Sequence, residues 1–120
     1  MTHDNLLYEL SKKFALRTVR LYQFLTDEKK EYIMSKQVYR SGTSIGANIA
    51  ESINAQSRAD FLSKLSISLK EATETKYWLE LLYESAYLKE EEFKSIINDL
   101  NIILGTLVNT IKKVKENKSQ

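Results

Sequence analysis

The sequence predicts an all-α protein, an antiparallel up-down-up-down four-helix bundle in which residues 1–120 form one domain. Three observations lead there. The chain has no proline and only three glycines, and these two residues are the main punctuation of sheets and loops. Four segments repeat apolar residues at steps of three and four, the period of a helix with one buried face. The polar stretches between those segments are short, so successive helices run antiparallel and pack at about 20°.

The first helix is expected over about residues 5–26, with Leu7, Leu10, Phe14, Thr18, Leu21 and Leu25 on one face. The polar run from Thr26 to Glu31 turns the chain. A second helix, about 31–55, carries Met34, Val38, Ser41, Ile45, Ile49 and Ile53 on its inner face. Ser57 followed by Asp60 reads as a capping box, with aspartate standing in for the usual glutamate, and opens a third helix over about 58–88. Its seam runs Phe61, Leu65, Ser68, Ala72, Thr75, Leu79, Leu82 and Ala86. The acids of Glu90–Glu92 suit the positive end of a fourth helix, about 90–116, with Phe93, Ile97, Leu100, Leu104, Leu107, Ile111 and Val114 as its seam.

Composition removes several function classes. With no cysteine there are no disulfides, thiolate metal sites or cysteine nucleophiles. The single histidine, His3, lies near the N-terminus, which leaves little material for imidazole catalysis or for the Glu-x-x-His pairs of a di-iron bundle. No cofactor, metal, catalytic residue or small-molecule substrate is expected. The sequence shows neither a secretion signal nor an apolar run long enough for a membrane span, so a cytoplasmic protein without a membrane partner is expected.

Net charge is only +2, but it is unevenly spread. From Glu71 to Glu92 there are seven glutamates against two lysines, a local balance of −5. Lys13, Arg17 and Arg20 share a side of the first helix, and Lys112, Lys113 and Lys115 crowd the end of the fourth. These six are the candidate nucleic-acid contacts, with Lys118 beyond them. Solvated helix faces are the plainer reading of the same lysines.

The stretch from Tyr39 to Ser52, YRSGTSIGANIAES, is unusual for a helix centre. Gly42, Gly46 and Ala50 follow one another at intervals of four, and each glycine costs about 1 kcal/mol against alanine. Such a strip lets another backbone approach closely. Beside it runs a polar line of Lys36, Arg40, Ser44, Asn48 and Glu51. If the second and third helices form a hairpin turning near Gln56, these residues meet Lys64, Ser68, Glu71 and Thr75. The expectation is an Arg40–Glu71 ion pair, with Glu74 as alternate partner, and a Ser44–Asn48–Ser68 hydrogen-bond network. Together the glycines and hydroxyls would draw the second and third helices close around a polar lock. The network Arg40, Ser44, Asn48, Glu51, Ser68 and Glu71 reads first as structural, fixing register, and only secondarily as a ligand site. A phosphate loop does not fit, because GTSIG lacks the terminal Gly-Lys-Ser/Thr.

These residues, with SRADFLSKLSISLKEATETKYWLELL after them, resemble the bacterial four-helix-bundle family of 23S rRNA intervening-sequence proteins, and also the related accessory proteins of diversity-generating retroelements. The resemblance covers essentially the whole chain. Its specific part is Arg40, Ser44 to Ile45, Asn48 to Glu51, and Ser68 to Glu71; Ser52 stands where the family commonly has glycine. The resemblance implies a small bundle that assembles into homo-oligomers, a barrel-like pentamer, with RNA or ribonucleoprotein association in some members. The expected function is therefore a non-enzymatic homo-oligomeric module, RNA-associated through its basic surface. The alternative is a protein-interaction scaffold with no nucleic-acid partner, for which Tyr8, Tyr22, Tyr77, Trp78, Tyr83 and Tyr87 exceed what one seam can bury.

Overall fold

Local chemistry sets the helix ends. The computed structural model describes residues 2–117, with side chains from Leu6 onward, as α1 (Thr2–Asp27), α2 (Met34–Ile53), α3 (Arg58–Glu84) and α4 (Glu90–Glu116). The side chain of His3, and Lys118 altogether, lie outside the described residues.

The second helix begins three residues later than expected because Glu31 serves as its cap. Its carboxylate accepts from the backbone N–H groups of Ile33 at 3.1 Å, Met34 at 3.0 Å and Ser35 at 2.7 Å, while the Ser35 hydroxyl donates to the Glu31 carbonyl at 2.8 Å. Three of the four orphan amides of a helix start are thereby satisfied by one side chain. The third helix starts where the capping box places it. Ser57 Oγ accepts from the Asp60 N–H at 3.1 Å, and the Asp60 carboxylate accepts from Gln56 rather than Ser57, at 3.2 Å.

That helix ends at Glu84, short of the expected residue 88. Ala86 takes a left-handed conformation with φ 70°, so its N–H donates to Tyr83 O at 3.0 Å and the next N–H, of Tyr87, donates to Leu82 O at 2.8 Å. This is a Schellman stop with alanine where glycine is usual. Ala86 thus leaves the core seam on which its spacing had placed it, and it is exposed.

The four helices pack in an up-down-up-down square, each against its two sequence neighbours, with α4 closing back onto α1 and no diagonal contact among the described residues. The pairs α1–α2 and α2–α3 are tight, and α1–α4 is the loosest. The column measures 51 × 22 × 20 Å. Leu7, Phe14, Val38, Ile45, Leu65, Leu79, Leu100 and Leu107 form the fully covered centre. Two seams differ from expectation. In α4 it is Ile96 and Ile103 that are buried, while Ile97 and Leu104 only flank the core. In α2 the buried residue of the last turn is Ser52, and Ile53 is 44% exposed.

Candidate functional site

The glycine-rich centre of α2 faces two helices at once. Toward α1, a methyl group built on Gly42 would stand 2.5 Å from Thr18 Cγ2, and one on Gly46 would stand 3.2 Å from Ser11 Oγ. Ser11 and Thr18 are fully buried and donate their hydroxyls to the carbonyls of Tyr8 at 3.1 Å and Ala15 at 2.7 Å, in their own helix. The close approach served by the glycines is therefore that of α1 to α2. The expectation that they bring α2 to α3 is corrected: at 100° per residue, Gly42 and Gly46 sit on the opposite flank of α2 from Arg40 and Ser44. Ala50 continues the strip along the α1–α2 groove.

Toward α3 the contact is polar. Ser68 Oγ donates to the Ile45 carbonyl at 2.9 Å, and the Thr75 and Ser41 hydroxyls lie 2.8 Å apart, with Thr75 also 2.7 Å from Glu71 O. All of these hydroxyls are buried, and among the described residues no buried side-chain polar atom lacks a partner. The expected side-chain network of Ser44, Asn48 and Ser68 takes another form. Ser44 Oγ donates to Arg40 O at 2.7 Å and Asn48 Nδ2 to Ser44 O at 2.9 Å, both within α2. Only Ser68 crosses, and it crosses to backbone.

Ion pairs run along the solvent edge of this seam. Arg40 reaches Glu74 at 2.6 Å and Glu71 at 3.4 Å, so the residue expected as alternate partner is the closer one. Trp78 Nε1 donates to the same Glu74 oxygen at 2.9 Å. The Arg40 bond, then the Trp78 bond, hold the Glu74 carboxyl below its ordinary value, and the bond to Glu74 holds Arg40 above its own. Two to three turns further on, Lys64 pairs with Glu51 at 2.9 Å. The Arg40 side chain is 51% exposed, so the cluster is a surface pairing over a buried hydroxyl layer. Each of its charges has an opposite charge in reach. Such an arrangement fixes the register of two helices, and no group of three His, Asp or Glu residues among those described is arranged to hold a metal.

The six basic candidates do not form one patch. Arg17 Nη1 pairs with Asp99 at 2.7 Å across the α1–α4 groove. Arg20 lines the same groove, which has Glu91 and Glu92 on its other wall. The Arg17–Asp99 contact sets Arg20 level with residue 96, about 24 Å along the helix from Lys112 at ~1.5 Å per residue. Lys13 is exposed between them. Lys112, Lys113 and Lys115 stand exposed at the other end and make no ion pair among the described residues. Arg58, which the sequence did not single out, joins them by donating to Asn117 O at 2.9 Å. Its signal was present as a basic residue at the start of an antiparallel helix, which must lie beside the end of α4.

Residues 3–109 match the family described as 23S rRNA-intervening sequence protein. The chain belongs to that family. A solved structure of a protein of unknown function from the S23 ribosomal protein family of Bacteroides thetaiotaomicron is 55% identical; the match covers 92% of this chain and 98% of that one, with a TM-score of 0.90. No curated protein matches. In this 23S rRNA-intervening sequence family member, five of the residues that carried the resemblance, Arg40, Ile45, Glu51, Ser68 and Glu71, take part in contacts between α2 and α3. Among the described residues no helix is long and apolar enough to cross a membrane.

Proposed function

We propose that this family member is a non-enzymatic, self-assembling cytoplasmic module that associates with RNA or ribonucleoprotein through the basic end formed by Arg58, Lys112, Lys113 and Lys115. The observation that carries the reading is the segregation of charge along the column. The end holding the α3 start and the α4 finish gathers four cations, of which the three lysines are free of carboxylate partners among the described residues. The opposite end has an excess of acid, with Asp27, Glu28, Glu31, Glu84, Glu90, Glu91 and Glu92 against Lys29, Lys30, Lys89 and Lys94. Both the family and its neighbour bear ribosomal names, which supports RNA as the polyanion. Arg17 and Arg20, set among Asp99, Glu91 and Glu92, are poor phosphate ligands and drop from the contact set.

Phosphate contacts release counterions, so binding to structured RNA should weaken with log salt at a slope of about −0.7 to −0.9 per contact, on the order of −3 for one protomer. Assembly would multiply that through avidity. The test is binding across a salt series with particle mass measured in the same buffer, for the natural chain and for Lys112→Gln with Lys113→Gln and Lys115→Gln. A shallower slope and weaker binding in the triple variant support the basic end. Absence of binding at low salt refutes it.

A protein scaffold is the second reading. Tyr32, Tyr39 and Tyr77 are between 41% and 56% exposed, more aromatic surface than an isolated bundle needs.

A further inference from the structure

We infer that the α1–α4 face, at the Glu91 end of the column, is a docking trough for one amphipathic helix of a different protein. The apolar stripe of that helix is edged by acids on one side and by bases on the other. The site lies away from the basic end assigned to RNA and does not depend on that reading.

The trough follows from how the bundle packs. The helices α1 and α4 are the loosest neighbours, and between them lies a depression of about 540 Å³ with Leu21, Phe24, Leu88 and Ile96 as its floor. Leu88 and Ile96 belong to the buried core, while Leu21 and Phe24 are only partly covered. Past Phe24 and Leu88 it runs into a second depression of about 420 Å³, closed by the α3–α4 connection from Ala86 to Lys89. The Arg17–Asp99 bridge, at 2.7 Å, closes the near end. From Asp99 back to Leu88 the trough is about 16 Å long at ~1.5 Å per residue, three turns of a helix.

Its walls select the occupant. Arg20 stands on the α1 side and Glu91 on the α4 side; both are exposed, and neither has an ion pair among the described residues. The remaining wall charges are committed, Arg17 to Asp99 and Glu92 to the Lys89 backbone N–H at 3.2 Å. A small molecule is held by polar groups that converge on it in an enclosed site, whereas Arg20 and Glu91 stand in solvent on opposite rims. An extended peptide would find no backbone partners here, because the amides and carbonyls along α1 and α4 are paired within their own helices. A helix satisfies its own backbone and lays only side chains into the trough. The four helices of this chain are already packed against one another, so that helix belongs to another protein. Its acids face Arg20 and its bases face Glu91. A helix with both edges of one sign would set like charges against one wall.

The experiment uses three dye-labelled, hydrocarbon-stapled peptides of two heptads, each with leucine at the inner positions. Their edges carry glutamate on one side and lysine on the other, glutamate on both, or lysine on both. Fluorescence anisotropy follows their binding to the full chain, with labelled peptide at nanomolar concentration so that the peptides do not pair with themselves. The mixed peptide should bind at least about tenfold tighter than either single-sign peptide. Arg20→Glu makes both walls acidic, so with that variant the lysine-edged peptide should become the tightest. Lys70→Glu, at an exposed position on α3, makes the same change in net charge and should keep the natural order. Circular dichroism confirms that both variants are folded. The inference is overturned by absence of binding of the mixed peptide, by an order that ignores edge charge, by an unchanged order in Arg20→Glu, or by the same inversion in Lys70→Glu.

Discussion

The three glycines offer a controlled test of how closely α1 and α2 approach. Replacing glycine by alanine inside a helix gains about 1 kcal/mol of propensity wherever there is room. At Gly105 nothing lies within 4 Å of the added methyl, so Gly105→Ala should stabilise by roughly 0.5–1 kcal/mol. At Gly42 the same methyl would sit 2.5 Å from Thr18 Cγ2, more than 1 Å inside the ~3.5–4.0 Å of ordinary carbon contact. Thr18 cannot swing aside without cost, since its hydroxyl is bonded to Ala15 O at 2.7 Å and its side chain is fully buried. Overpacking of this kind costs about 1–3 kcal/mol. The propensity gain is common to both variants and cancels in their difference. Gly42→Ala should therefore be about 1–3 kcal/mol less stable than Gly105→Ala, a gap of several degrees in Tm at roughly 4 °C per kcal/mol for a domain of this size. Urea denaturation of the two variants reads the difference directly. Thr18→Ser removes the offending methyl, so in that background the gap should shrink, giving a measurable coupling energy. Equal stability of the two alanine variants would refute the close approach.

Ala86→Gly should stabilise by about 1 kcal/mol, since alanine pays a left-handed penalty that glycine avoids; a loss of stability in thermal melts would count against the Schellman stop. Glu31→Gln should destabilise by about 1–2 kcal/mol in denaturant titration, because charge-assisted bonds to the first amides of α2 are replaced by neutral ones. Burial raises the Glu31 carboxyl, but the amides of Met34, Ser35 and Ile33 with the Ser35 hydroxyl outweigh it and leave it below the ordinary value. Its contribution is therefore complete above the ordinary glutamate pKa and is lost as pH falls through the folded value. The natural chain should lose more stability than Glu31→Gln in that acid window, and parallel pH profiles would exclude the cap. Ser68→Ala should cost about 1 kcal/mol for the buried bond to Ile45 O, whereas Arg40→Ala should cost no more than about 1 kcal/mol because its pairs are exposed; double-mutant cycles with Glu74 measure the latter.

Much of the candidate site was legible because it rests on spacing. Arg40 and Glu74, Glu51 and Lys64, and Ser68 against α2 all follow from a hairpin whose turn is marked by Ser57 and Asp60. Which flank of α2 the glycines occupy was also implicit in the helical period, yet their partners were not, because Ser11 and Thr18 carry no signal beyond being small. The α4 seam was ambiguous for a different reason. Ile96 and Ile97, and Ile103 and Leu104, are adjacent large apolar residues, so either rotation satisfies the pattern; contacts with both α1 and α3 select Ile96 and Ile103. The stop of α3 was illegible because an alanine, without a glycine's preference, takes the left-handed turn.

By itself the sequence determined the all-α class, the four helices and the antiparallel order, since these depend on periodicity, the absence of proline and short polar connections. Only the tertiary structure decided that the glycine strip belongs to α1, that Arg17 and Arg20 spend their charge near α4 carboxylates, and that Lys112, Lys113 and Lys115 stand at one end with Arg58. Those outcomes depend on how helices are rotated and what lies at the same height. A one-dimensional pattern leaves that choice open until all four faces are packed together.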